Sequence, residues 1–99
     1  MQQTLQAHTP LKKNSSLLSS KLDNEYVMMS IENGEYYGLN TIASRIWDLL
    51  QQLTTAEKII GILMNEFHVE EQQCRSDVMA FLRALQEKNL IIISTDDKV

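Results

Sequence analysis

Ninety-nine residues fit one domain and leave no room for two. Nine Lys and Arg stand against 13 Asp and Glu, a net charge of −4, and the basic residues are scattered, which argues against a general binder of nucleic acid or anionic membrane. One cysteine makes no intramolecular disulfide, the N-terminus shows no signal pattern, and no apolar run approaches the ~20 residues of a membrane span, so the chain reads as soluble and cytoplasmic.

Met1 to Ser16 is polar, carries the sole proline, Pro10, and has no period; it reads as a mobile tail. From Leu17 the composition turns strand-like: LLSSKL and EYVMMSI are separated by the turn signal Asp23-Asn24. Asn33-Gly34 then predicts a two-residue type I′ hairpin, because both central positions of that turn need positive φ. The register that follows sets Glu32 against Glu35, Ile31 against Tyr36, Ser30 against Tyr37 and Met28 against Leu39.

At Asn40 the apolar period changes from two to about 3.6. Asn40 caps a first helix in which Ile42, Ile46, Leu49 and Leu50 share a face with Trp47 at its flank. Thr54 and Glu57 form a capping box that opens a second helix with the face Ile59, Ile60, Leu63, Met64 and Phe67. A third helix starts near Glu70 or Glu71, runs to about Lys88 and carries the stripe Val78, Phe81, Leu82 and Leu85. Asn89 is a left-handed stop, LIII makes a short last strand, and Ser94 to Val99 is a polar tail. The predicted fold over residues 17–93 is α+β: a three-stranded antiparallel sheet followed by three helices, resembling a winged helix-turn-helix in its helical half.

The hairpin is apolar on both faces: Val27, Met29, Ile31, Tyr36 and Gly38 on one, Tyr26, Met28, Ser30, Tyr37 and Leu39 on the other. Three helices cover one face, so either the N-terminal segment or an external partner covers the second. The strand at 35–39 is also a meander edge, and beyond Glu35 it carries none of the lysines or prolines that blunt natural edges. Such an edge is an aggregation hazard or a site for an extended peptide. Gly38 marks either close approach of another backbone or a bulge.

Catalytic readings fail on inventory. His68 and Cys74 make a conceivable base and nucleophile, but no oxyanion element accompanies them, and Cys74 reads more simply as a small core residue. No metal-ligand spacing is present, and Gly34, Gly38 and Gly61 are isolated, so neither a metal nor any other cofactor is expected. Two other readings compete. A small winged-helix DNA-binding regulator would use the third helix, whose Gln72, Gln73, Arg75 and Arg83 are set against Glu70, Glu71, Asp77 and Glu87. A homodimer through the strand edge would self-associate without any peptide.

Tyr36-Tyr37-Gly38-Leu39-Asn40 with the following TIASRIWDLL resembles the YYxLN…A…W/IL segment of PqqD-like proteins, the precursor-peptide recognition elements of ribosomally made, modified peptides. SDVMAFLRALQEKNLI resembles the ending of the same family, and the likeness runs from about Leu17 to Ile93. The tyrosine-rich strand and the small size resemble the lasso-peptide branch most. The resemblance implies a non-enzymatic peptide chaperone that takes the leader of a precursor as an added antiparallel strand. It would work beside a separate cysteine-protease leader peptidase and toward the ring-forming cyclase. On this chain the implied leader contacts are Tyr36, Tyr37, Gly38 and Leu39, with Asp77, Phe81 and Ala84 on the facing flank of the third helix at i, i+4 and i+7. Phe81 would floor the groove and Ala84 leave room for an aliphatic side chain. Asp77 either holds a leader hydroxyl or cation or stabilises its own helix. Met79 and Arg83 mark the opposite flank, the alternative wall.

Overall fold

The computed structural model describes residues 5–14, 17–23, 25–30 and 34–93. In chain order these form β1 (Leu11–Lys13), β2 (Leu17–Leu22), β3 (Glu25–Ser30), β4 (Glu35–Gly38), α1 (Thr41–Leu49), α2 (Ala56–Glu66), α3 (Glu71–Glu87) and β5 (Ile91–Ile93). The class is the α+β arrangement expected, with a three-stranded antiparallel sheet ordered β2-β3-β4 and a helical half of winged helix-turn-helix type.

The hairpin register differs from the expected one by two residues. Ser30 pairs with Glu35, Met29 with Tyr36, Met28 with Tyr37 and Val27 with Gly38. A slip of two keeps every side chain on its face, since the strand period is two, so the face assignment survives while the partners change. Gly34 takes the left-handed position, φ 68°. Its expected turn partner Asn33 lies outside the described residues, as do Asn24, Ile31, Glu32 and the tail at 94–99.

Residues 5–14 are not a mobile tail. β1 pairs antiparallel with β5, Leu11 against Ile93, and on its other side exchanges backbone bonds with Thr54 at 2.7 and 2.9 Å. Leu5 and Leu11 are buried in the core. Isolated leucines in a polar stretch carry no period, and the ladder partner lies some 80 residues on, out of reach of any local signal. Residues 5–14 therefore complete the core on the helical side and lie away from the outer face of the sheet.

Side-chain caps set the helix starts. Asn40 Oδ1 accepts from the Ala43 N–H at 2.9 Å, and Glu70 caps α3 through the Gln73 N–H at 3.2 Å. For α2 the cap is Thr55, not Thr54: its hydroxyl accepts from the Lys58 N–H, because Thr54 is held extended by Leu11. Asn89 stops α3 at φ 62°. Trp47, Ile46, Leu63, Val78, Leu82 and Leu85 are core, as their periodicity predicts, and Leu49 and Phe67 are half-buried against it. Two residues expected on buried helix faces, Ile42 and Met64, are exposed.

One buried polar group joins the sheet to the helices. The Ser44 hydroxyl, in α1, donates to the Leu39 carbonyl at 3.1 Å and accepts from the Tyr26 N–H at 2.8 Å. Beside it the Tyr26 hydroxyl donates to Asp48 at 2.5 Å, which pushes the phenol's pKa up. Arg45 clamps α1 to the end of α2 by bonds of 2.8 and 2.7 Å to Glu66, which hold that carboxyl below its ordinary range.

Two outcomes follow. Leu11→Ala is expected to lower stability by about 2–5 kcal/mol in denaturant melts, the cost of emptying a core leucine site and not of trimming a tail. The Glu66 carboxyl titrates lower folded than unfolded, so its contribution is full above the unfolded pKa and is lost as pH falls through the folded value. The melting-temperature gap between the wild type and Glu66→Gln should therefore close below about pH 4.

Candidate functional site

Among the described residues β4 has β3 on one side and no strand on the other. Antiparallel residues point their backbone groups alternately to one neighbour and the other. Leu39 donates its N–H to the Tyr26 carbonyl at 2.9 Å, so in this register Tyr37 also faces β3. Tyr36 and Gly38 consequently turn their N–H and C=O groups away from the sheet, in a strand, EYYG, that carries no lysine, proline or bulge.

Beyond the end of β4, where Asn40 caps α1, a pocket of about 340 Å³ opens between the three helices. Its wall is mostly apolar: Ile42 and Ile46 from α1, Leu63 and Phe67 at the end of α2, Val78 and Phe81 from α3. Asp77, Gln73 and Asn40 are its polar members. Asp77 accepts from Gln73 Nε2 at 2.9 Å, and among the described residues no Lys or Arg forms an ion pair with it. Cys74 also lines this pocket, and burial pushes its thiol pKa up.

The seven residues singled out from the sequence fall into four places. Asp77 and Phe81 meet in the pocket. Leu39 is core, and Tyr37 is half-buried on the inner face beside the end of α3, its hydroxyl bonded to Glu35 at 2.6 Å and its ring 5.5 Å from the Lys88 ammonium. Tyr36 and Gly38 lie on the outer face; Tyr36 is 71% exposed and paired with Met29, so its side chain points away from α3. Ala84 is exposed and lies outside the pocket lining; of the alternative flank, Met79 packs on the core and Arg83 is exposed.

Sequence reasoning missed Asn40, Ile42 and Phe67 as pocket residues. Ile42 carried a signal, since it sits one turn before Ile46 in the helix that follows the open strand. Pattern alone assigned it to the core, where it is instead 41% exposed.

Among the described residues no three His, Cys, Asp or Glu side chains gather as metal ligands, and no helix is long and apolar enough to cross a membrane. Arg75 of α3 is already bonded to Glu57 and Glu71, leaving α3 without a basic face for DNA.

The fold defines a small α+β domain in which an apolar pocket opens between the helices beyond the end of β4. Residues 25–91 match the family Coenzyme PQQ synthesis protein D (PqqD), and the chain belongs to that family. Among solved structures it is similar to TbiB1 in complex with the TbiA(beta) leader peptide, with 34% identity and a TM-score of 0.76 over 81% of this chain and 93% of that one. A lasso peptide synthetase B1 complexed with the leader peptide shares the fold at 22% identity, with a TM-score of 0.73 over 83% of this chain and 96% of that one. No curated protein sequence matches.

The buried, raised thiol of Cys74 should be alkylated slowly in the folded protein near pH 8 and rapidly after denaturation, which a timed thiol-reagent assay reads directly.

Proposed function

We propose that this chain is a non-catalytic leader-peptide recognition protein of lasso-peptide biosynthesis. The observation that carries the reading is the unguarded edge of β4, with the outward N–H and C=O groups of Tyr36 and Gly38 beside an apolar pocket. A 34% identical relative solved with a leader peptide supports it. An extended leader adds to β4 as an antiparallel strand, and its backbone bonds are independent of sequence. Selectivity comes from alternate side chains. Those on the inner side meet α3, where Phe81 floors the groove, Asp77 closes its polar corner, and Ala84 and Tyr37 border its far end. Burying one leader leucine contributes roughly 1.5–3 kcal/mol, so one or two anchors dominate affinity.

In this role the domain performs no chemistry. It holds the precursor for a separate cysteine-protease leader peptidase and, through it, for the cyclase, all within the cytoplasm.

The test is fluorescence anisotropy of the labelled TbiA(beta) leader peptide, with a scrambled peptide and a DNA duplex as controls. Saturable binding of the leader alone is expected; binding of the duplex alone, or of nothing, overturns the reading. Phe81→Ala should weaken binding about tenfold or more, the loss of one apolar anchor. Tyr36→Pro removes an outward donor without breaking the β3 ladder, so it should fold and bind about tenfold more weakly than Tyr36→Ala. Equal affinities for those two variants would show that the leader does not use the edge.

A further inference from the structure

Gly38 has no reason in the fold to be glycine. It is not at a positive φ, its pairing with Val27 continues without a bulge, and a Cβ built on it meets nothing within 4 Å. Inside a strand, glycine weakens the structure and leaves nothing to pack. Its effect here is to uncover its neighbour. Val27, directly across on the outer face, is 36% exposed because its cross-strand partner has no side chain. With Tyr36 next to it, 71% exposed, this makes an apolar notch at the rim of the sheet, open toward the unpaired edge.

The backbone alternation says what reaches that notch. The N–H and C=O of Gly38 point out from the edge, so a strand added there forms its hydrogen-bonded pair with Gly38. In an antiparallel ladder directly paired residues have their side chains on the same face. The residue of the added strand paired with Gly38 therefore projects onto the outer face, beside the notch. A large side chain laid across a glycine covers the strand beyond it, the arrangement by which aromatic side chains offset edge glycines in designed sheets.

Resting on the leader-binding reading above, we infer that Gly38 is a specificity-determining residue. It admits a large apolar side chain of the leader, paired with it on the outer face, which crosses β4 and packs on Val27 between the strand edge and Tyr36. The leader is thus read on both faces of the extended sheet. The inner face selects through the helical pocket, and the outer face through the absence of a side chain at position 38.

The experiment is a substitution scan of the TbiA(beta) leader peptide, each variant titrated by anisotropy against the wild type, Gly38→Val and Val27→Ala. Thermal melts of all three proteins run alongside. In the wild type one leader position, outside the set that enters the helical pocket, should lose at least fivefold in affinity on replacement by alanine. In Gly38→Val the overall affinity should fall, that dependence should shrink to twofold or less, and the melting temperature should stay level or rise. Val27→Ala, which keeps the glycine but removes the packing surface, should also shrink it. A Gly38→Val protein that binds the full peptide series like the wild type overturns the inference and leaves leader recognition standing. A clearly lowered melting temperature overturns it too, by giving the glycine a role in the fold. Failure of the wild type to bind any leader variant removes both readings.

Discussion

The Ser44 hydroxyl is the joint on which the arrangement depends. It is buried, and it both gives and receives a hydrogen bond, to the Leu39 carbonyl and from the Tyr26 N–H, at the point where β4 leaves the sheet and enters α1. Without it the backbone N–H of Tyr26 would lose its partner, a cost of about 1–3 kcal/mol where water is excluded. The two bonds tie α1 both to the residue that follows β4 and to the start of β3, so sheet and helices are joined at one corner. The Asn40 cap and the Tyr26–Asp48 bond brace the same corner from either side.

From that corner the two faces of the hairpin take different duties. Met28 and Leu39 enter the core with Trp47 and the helices, so the inner face is committed to folding. The outer face keeps Val27 and Tyr36 in solvent, and the edge between the faces keeps two residues' worth of backbone groups turned outward. A fold with a larger core would have covered one or the other. Among the described residues nothing pairs with the β4 edge, and Val27 and Tyr36 stay exposed on the outer face.

Most of this could be read from the residues. The three helices, their main core positions and the edge position of the third hairpin strand follow from period, caps and meander order. What failed did so for identifiable reasons. Asn33-Gly34 pointed to a hairpin, but the local turn preference placed the register two residues away from that of the folded sheet, because core packing of Met28 and Leu39 is satisfied by either pairing's facing and the turn signal was taken alone. Thr54 looked like the cap because it is followed three on by Glu57; only the contact with Leu11 shows that Thr54 is occupied elsewhere. Asp77 and Phe81 were found by helical spacing, since both lie on one flank of α3. Ile42 was not, because spacing tells which residues share a face and cannot tell where the face runs out of neighbours. Tyr36 was placed correctly on the edge, yet its side chain serves the opposite face from the helix it was first grouped with.

The pairing of β1 with β5 has a consequence for how the chain is made. The first and last strands of the domain are each other's partners, and they flank everything else. During synthesis Leu11–Lys13 emerges early and has no ladder to join until residues 91–93 have left the ribosome. Contacts this distant in sequence carry the largest loop-closure entropy and form late in folding. The hairpin and the helices, whose contacts are local, can assemble while the ends are still apart. The pairing of the two strands encloses Leu5 and Leu11 in the same core as Trp47.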